Sequence, residues 1–230
     1  MYDVVFVSNG ELNAEANWQR LLQVEPNAQR IDGVNGIHAA YHAAGMLATQ
    51  DYVYLVDADN EVLPTFDFQR FVYPESFVKV PHVITWRTKN RVNSLIYGHG
   101  GITLYPTSFL RNAMGAGVDV AQGLGIPIRT VSEIASVHAF DFDEYNTWRT
   151  AFREGVKLTR ACLSNSCVNA RWRLNVWKSE GFTSRGLYSI EGARYGSDFF
   201  ENRPDDYKSI NNEADLKRFF EQTYATKLHN

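Results

Sequence analysis

The stretch YVYLVDADN, residues 52–60, is the clearest indication of fold class in this chain of 230 residues. Its first five residues are apolar or aromatic, which is typical of a buried strand, and Asp57 and Asp59 follow directly. Four elements are predicted upstream: a strand at Val4–Val7, a helix at Glu15–Gln23, a short strand at Gln29–Gly33 and a helix at Ile37–Ala48. This alternation of strands and helices predicts a doubly wound α/β sheet.

The remainder of the chain extends the sheet and then becomes helical. Further elements are predicted as strands at His82–Trp86, Ile102–Tyr105 and Ile128–Val137, and as helices at Tyr145–Leu163 and Ala214–Tyr224. We therefore predict a Rossmann-like mixed sheet flanked by helices. The predicted catalytic domain covers residues 1–160, and a mostly helical extension, residues 161–230, belongs to the same structural unit.

Composition and charge exclude several classes of protein. The formal net charge is −3, which excludes a globally basic nucleic-acid binder but not a local basic patch. A run of about 18 or more apolar residues, as a membrane span requires, does not occur. The chain opens on a strand-like run without a basic leader, so we expect a cytoplasmic protein. Cys162 and Cys167 are expected to be reduced thiols.

Asp57 and Asp59 predict a metal site. Ligands of open α/β sheets bind beyond the carboxyl ends of the strands. Alternate residues of an extended segment point the same way, so both carboxylates can converge on one cation. Mn²⁺ or Mg²⁺ prefers such oxygen ligands and can carry a diphosphate as its other ligands. The alternative is a solvated turn whose carboxylates cap a helix.

The context of this acidic loop resembles the donor half of GT-A glycosyltransferases, in which the loop is called the DXD motif. A buried strand precedes it, and upstream lie a strand ending in Ser8 and Asn9, a turn containing glycine and a helix rich in alanine. The resemblance implies a GT-A fold and a sugar-nucleotide donor, for which we expect a UDP-sugar. It places the donor across Ser8, Asn9, Asp32, Asn35 and Asp57, and makes His138 a third metal ligand. The alternatives are ordinary turn residues and a packed, hydrogen-bonded histidine.

Residues 97–101, YGHGG, contain three glycines within four positions. Glycine allows positive φ and close approach of the backbone to a ligand. We interpret the segment as a loop between two strands, with Gly100 and Gly101 bordering the donor. His99 would donate to a phosphate or a sugar hydroxyl during catalysis. The lysine of a Walker-type phosphate loop is absent from this segment.

A narrower resemblance rests on residues 93–106, on residues 118–120 and on residues 142–158. Together they resemble the TET/JBP-associated glycosyltransferases, a largely phage-encoded family thought to attach sugars to hydroxymethylated pyrimidines in DNA. The resemblance covers roughly residues 1–160. It implies transfer of glucose or arabinose to 5-hydroxymethylcytosine or 5-hydroxymethyluracil, in the host cell cytoplasm if the protein is phage-encoded.

An inverting transferase needs a general base on the acceptor hydroxyl. Asp119 lies in the apolar segment Gly117–Val120, a setting that favours such a base. Asp141 and Asp143 are rivals, although Asp143 could instead cap the helix that begins near Tyr145. A retaining enzyme would need no base in this position.

Basic residues predict a surface for DNA. On the Tyr145 helix they recur at spacings of four, four and three, at Arg149, Arg153, Lys157 and Arg160. Farther along, Arg171, Arg173 and Lys178 are interleaved with two tryptophans, which suits phosphate contacts and base stacking. The alternative is a solvated helix face with arginines paired to carboxylates. The competing functions are a GT-A transferase acting on a glycan, lipid or protein, and a binding module without turnover.

Overall fold

A computed structural model describes residues 1–112 and 120–225 of the chain, and within them the strands form one mixed sheet. The strands are β1 (Asp3–Ser8), β2 (Gln29–Asp32), β3 (Tyr52–Asp57), β4 (Asn60–Val62), β5 (Val83–Asn90), β6 (Ile96–Pro106) and β7 (Ile128–His138). Their order in the sheet is β2-β1-β3-β6-β5-β7-β4. β1 pairs in parallel with β2 and β3, whereas β6 is antiparallel to both β3 and β5.

Helices accompany the sheet and make up the C-terminal part of the chain. Those of the first part are α1 (Ala14–Val24), α2 (Ile37–Leu47), α3 (Glu75–Lys79), α4 (Thr107–Arg111) and α5 (Val120–Gly123). Those of the second part are α6 (Glu144–Leu163), α7 (Ala170–Ser179), α8 (Gly186–Asn202), a 3₁₀ helix (Pro204–Asn211) and α9 (Glu213–Ala225). The predicted fold class, a Rossmann-like mixed sheet flanked by helices and followed by a helical extension, is confirmed.

Two hydrophobic clusters cover opposite faces of the sheet. Because successive side chains of a strand point to opposite faces, Phe6 of β1 packs with Leu21 of α1, whereas Val5 packs with Tyr41 of α2. In β3, residues 53–56 are buried and are divided between the two clusters. A strand covered on both faces is apolar without alternation, which is why the run at residues 52–56 predicted it so clearly.

The short strand β4 explains how the sheet curls. Only Ala58 and Asp59 separate it from β3, yet β6, β5 and β7 lie between the two strands in the sheet order. β4 pairs antiparallel with β7, which sets Asn60 opposite His138. The sheet must therefore curl, so that the acidic loop after β3 reaches the end of β7.

The glycine-rich segment at residues 97–101 is part of strand β6 and not a loop, which corrects the prediction from sequence. Gly100 has φ of +89° and lies where the pairing of β5 with β6 shifts register, as a β-bulge requires. A Cβ on Gly98 would lie 2.8 Å from the side chain of Thr130. The glycines are thus explained by the local packing of the sheet.

The chain divides into two compact units. One contains residues 1–90 and 96–139, and the other contains residues 91–95 and everything from Phe140 onward. Helix α6 belongs to the second unit, where it packs on α8, whereas the domain prediction had placed residues 145–160 with the catalytic domain. Added side-chain carbon at Gly155, Gly192 or Gly196 would collide with the facing backbone, so these two helices meet through small residues.

None of the helices within residues 1–112 and 120–225 has the length and apolar character that crossing a membrane would demand.

Candidate functional site

The carboxyl ends of the three parallel strands gather the first set of predicted donor residues. The register places Ser8 opposite Asp32 and Val7 opposite Asp57. The Ser8 hydroxyl donates to the Asp32 carboxylate, and the Arg30 guanidinium lies 3.1 Å from the Ser8 oxygen and 3.4 Å from Asp32. The hydrogen bond from Ser8 lowers the pKa of Asp32, with a smaller contribution in the same direction from the Arg30 charge. Asp32 is therefore a stable anion at this edge.

Asn9 and Asn35 lie on exposed segments after β1 and β2. The backbone N–H of Asn9 donates to Glu11 over 2.7 Å. Asn35 lies between Gly33 and Gly36, whose φ values of +71° and +90° turn the chain after β2. The structure thus brings Ser8 and Asp32 into contact and leaves the two asparagines exposed beside them.

Asp57 is the last residue of β3 and is partly buried. The Tyr41 hydroxyl of α2 donates to its Oδ1 atom over 2.9 Å. This contact fixes the carboxylate from the α2 side of the sheet.

Asp59 lies against His138, so the structure brings together two of the three predicted metal ligands. The Nε2 atom of His138 lies 3.0 Å from Oδ2 of Asp59, and the backbone N–H of Ala139 donates to the Asp59 carbonyl over 2.7 Å. The His138 side chain is 1% exposed, whereas that of Asp59 is 26% exposed. The Asp59 carboxylate is therefore partly exposed at the surface, and the His138 imidazole contacts it from the buried side.

The donor chemistry of this pair fits a divalent cation. A carboxylate and an imidazole favour Mn²⁺ over Mg²⁺, which prefers oxygen alone, and diphosphate oxygens can complete the shell. Within residues 1–112 and 120–225, no group of three or more His, Cys, Asp or Glu side chains is placed to hold a metal. The protein thus offers a two-residue set, Asp59 and His138. Asp57, in contact with Tyr41, remains a predicted third ligand.

Two asparagines near the start of α1 hold the acidic loop and the segment after β7, and the sequence analysis missed both. The Asn17 side chain is buried and donates to the Ala58 carbonyl over 2.8 Å. Asn13 donates to the Ala139 carbonyl over 2.8 Å. Asparagine is a poor helix former, so a pair spaced by one helical turn was the signal that could have revealed hydrogen bonds to neighbouring backbone.

The predicted catalytic residues fall at or beyond the limits of the described structure. Asp119 lies outside the described residues. His99 belongs to β6, and its side chain is likewise outside what the structure describes. Of the rival carboxylates, Asp143 caps α6 by accepting from the Asn146 N–H over 2.6 Å, which confirms the capping interpretation. Asp141 is buried, 3.6 Å from the Arg91 guanidinium.

The basic residues of α6 contact the segments that follow this helix or a carboxylate within it. The contacts are Arg149 to Glu213 at 3.1 Å, Arg153 to Asn211 at 2.9 Å, Lys157 to Glu154 at 3.9 Å, and Arg160 over the Tyr207 ring at 4.2 Å. These contacts match the alternative in which the stripe is structural, and the DNA-binding role of these residues remains a prediction.

The basic residues of α7 differ among themselves. Arg173 lies 3.3 Å from Glu154, and Lys178 lies 3.4 Å from the Ser197 hydroxyl. Arg171 is exposed, and the neighbouring Trp172 side chain is 58% exposed. Arg171 and Trp172 therefore present a cation and an indole to solvent, whereas Trp177 is buried against Phe140.

Comparison with known proteins returns likenesses of fold only. No protein-family model matches the chain, and no curated protein matches it. A mannosyltransferase from Pyrobaculum calidifontis, determined with GDP-Man and Mn²⁺, is 11% identical over 86% of this chain and 74% of its own, with a TM-score of 0.44. A 2-C-methyl-D-erythritol 4-phosphate cytidylyltransferase from Thermus thermophilus is 13% identical over 62% of this chain and 93% of its own, with a TM-score of 0.43. Likenesses at this level identify neither a family nor an activity.

Proposed function

We propose that this chain is a metal-dependent glycosyltransferase that takes its sugar from a nucleotide donor. The observation that carries the proposal is the Asp59–His138 pair, 3.0 Å apart at the end of the sheet where Asp57 also lies. Ligands of α/β sheets bind at this end of the strands, and the donor set suits a cation that carries a diphosphate.

The residues at the carboxyl end of the sheet are given separate roles in this proposal. Asp59 and His138 would hold the cation, which when bound stabilises the negative charge of the departing diphosphate as a Lewis acid. Asp32 would accept a hydrogen bond from the nucleoside of the donor, because Ser8 and Arg30 keep its carboxylate ionised. Asn17 would keep the acidic loop in place, and Asn13 the backbone after His138, while the donor binds.

The reaction exchanges one carbon–oxygen bond for another. The bond between the anomeric carbon of the sugar and the diphosphate oxygen breaks, and the acceptor hydroxyl oxygen bonds to that carbon. The acceptor proton passes to a general base in an inverting enzyme, for which Asp119 is our candidate, with His99 as a second catalytic donor.

For the acceptor, we propose a hydroxymethylated pyrimidine in DNA, with glucose or arabinose as the sugar. The support is the resemblance of residues 93–106 and 142–158 to the TET/JBP-associated glycosyltransferases, together with the exposed Arg171 and Trp172. Basic and aromatic side chains suit contacts with phosphates and unstacked bases. A transferase acting on a glycan, lipid or protein is the alternative that the acceptor test below separates.

The metal requirement tests the proposed activity. Chelation should abolish sugar transfer, and added Mn²⁺ should restore it. Asp59→Asn should lose activity with its melting temperature nearly unchanged, because the side chain is partly exposed. Asp51→Asn, at the opposite end of β3, is the matched control and should remain active. Full transfer in excess chelator would contradict the proposal.

Acceptor choice is tested with two DNA duplexes that differ only in the hydroxymethyl group. Transfer from a panel of sugar-nucleotides should occur to DNA containing 5-hydroxymethylcytosine or 5-hydroxymethyluracil, and be up to about 10⁴-fold weaker to the unmodified duplex, whose base offers no hydroxyl. Mass spectrometry of the nucleosides gives the added sugar. Labelling of a glycan or protein with neither DNA labelled would favour the alternative transferase. Donor binding without transfer to any acceptor would indicate a binding module.

A further inference from the structure

Asn60 follows the acidic loop directly and is completely buried. Its Nδ2 atom donates to Oδ1 of Asp59 over 2.8 Å. Its Oδ1 atom accepts from the Ser136 hydroxyl over 2.9 Å, with the Thr88 hydroxyl 3.5 Å away. Asn60 therefore links the carboxylate of the surface loop to a buried set of hydroxyl groups on β5 and β7.

The Asp59 carboxylate determines which end of the Asn60 amide faces it. A carboxylate only accepts hydrogen bonds, so its neighbour must be the NH₂ end of the amide. The amide oxygen then faces the Ser136 hydroxyl, which donates to it over 2.9 Å. Rotating the amide by half a turn would set its oxygen against the carboxylate, two acceptors with no proton between them.

Strand β6 supplies the surface on which the Asn60 amide lies. A Cβ on Gly101 would overlap both polar atoms of that amide. Any larger residue at position 101 would thus displace Asn60 from Asp59. The sequence analysis placed Gly101 at the donor, and in the structure Gly101 packs against the Asn60 amide.

We propose that Asn60 is a positioning residue for the metal-binding carboxylate of Asp59. By holding Oδ1, it orients the carboxylate so that Oδ2 lies beside Nε2 of His138, the two atoms that would hold the cation. The inference rests on the proposed metal-dependent function and adds to it a buried support outside the predicted ligand set. Residues that orient a metal ligand in this way typically change metal affinity by about 10- to 100-fold.

The experiment measures Mn²⁺ binding in the absence of any substrate, by the loss of the free Mn²⁺ paramagnetic resonance signal on titration. Asn60→Ala should weaken Mn²⁺ binding by about tenfold or more. The matched control is Val62→Ala, which shortens another buried side chain of β4. Val62 is the register partner of Ser136, but its side chain has no polar atom. Val62→Ala should lower the melting temperature and leave Mn²⁺ affinity unchanged.

A second variant keeps the inference testable if Asn60→Ala does not fold. Ser136→Ala removes the hydrogen bond that orients the amide and retains Asn60 itself, so a loss of several-fold in Mn²⁺ affinity is expected. Wild-type affinity in the folded Asn60→Ala or Ser136→Ala protein would overturn the inference and leave the proposed function intact. Equal losses in Asn60→Ala and Val62→Ala would also overturn it, as the effect would then be structural. A wild-type protein that binds Mn²⁺ neither alone nor with a nucleoside diphosphate added would overturn the proposed function and this inference together.

Discussion

The carboxylates at the end of the sheet each have a different neighbour, and the neighbour sets what each can do. Asp32 accepts from Ser8, Asp57 accepts from Tyr41, and Asp59 lies between Asn60 and His138. A hydroxyl donor stabilises a carboxylate without competing for a cation, whereas an imidazole can share the cation with it. Asp59 is for this reason the residue on which a metal site can be built.

The Ser8–Asp32 contact predicts a pH effect. Ser8→Ala removes the largest cause that lowers the Asp32 pKa, so this pKa should rise towards its ordinary value, with a smaller rise in Arg30→Gln. A carboxyl with a lowered pKa stabilises the fold above its unfolded pKa and loses that contribution as the pH falls through its folded pKa. In Ser8→Ala the folded pKa lies closer to the unfolded one, so the contribution should be smaller and its loss should be complete at a higher pH. Carboxyl NMR titration of both variants measures the shift, and an unchanged Asp32 titration in Ser8→Ala would contradict the assignment.

Helices α6 and α8 pack through glycines, and this contact defines the second unit. Gly196 faces the carbonyl of Phe152, and Gly192 faces that of Trp148. Backbone atoms cannot move aside as the end of a flexible side chain can, so the contact requires the absence of Cβ. Helix propensity alone would favour alanine at these positions, which shows that packing decided the residue type.

Gly196→Ala tests which of these effects is larger. Alanine should gain about 1 kcal/mol in helix propensity, but overpacking against rigid backbone costs about 1–3 kcal/mol. We expect net destabilisation, seen as a melting temperature lower by a few degrees. Asp198→Ala, exposed in the same helix, is the control and should change stability by less than about 0.5 kcal/mol. A higher melting temperature in Gly196→Ala would contradict the packing argument.

The molecule as a whole carries a formal net charge of −3, so any DNA contact must come from a local surface. The α6 stripe that the sequence suggested is engaged by Glu213, Asn211 and Tyr207. Arg171 and Trp172 are instead turned to solvent at the start of α7. Substitution of these two residues is therefore a more specific test of DNA binding than substitution of the α6 arginines.

Salt dependence separates the two groups of arginines. Arg171→Ala should reduce the slope of log affinity against log salt by about 0.9, the value for one lost phosphate contact on duplex DNA. Arg149→Ala should leave the slope nearly unchanged and slightly lower the melting temperature, because Glu213 keeps the Tyr145 hydroxyl but loses its ion pair. Trp172→Ala should weaken binding to single-stranded DNA without changing the slope, since stacking releases no counterions. A slope that falls only in Arg149→Ala would restore the stripe as the DNA surface.

The strands β1 to β3, the helices α1, α2, α6 and α9 and the acidic loop could be predicted from the sequence. These features are local, because burial on both faces produces the apolar run at residues 52–56 and loop polarity follows where the strand ends. The capping role of Asp143, one of the two alternatives for that residue, followed from a short-range rule, whereas Asp32 was named from the resemblance to GT-A enzymes.

The contact between the acidic loop and His138 could be seen only in the tertiary structure. Asp59 and His138 are separated by 79 positions, and the pairing of β4 with β7 that joins them involves a strand of three residues, too short for a periodic signal. The glycines at 98–101 suggested a ligand loop, yet they lie in β6. Thr130 and Asn60 occupy the space that side chains at Gly98 and Gly101 would need, and Gly100 has a positive φ. The side chain that packs against a given glycine comes from a distant part of the chain. A local pattern of residues therefore does not predict it.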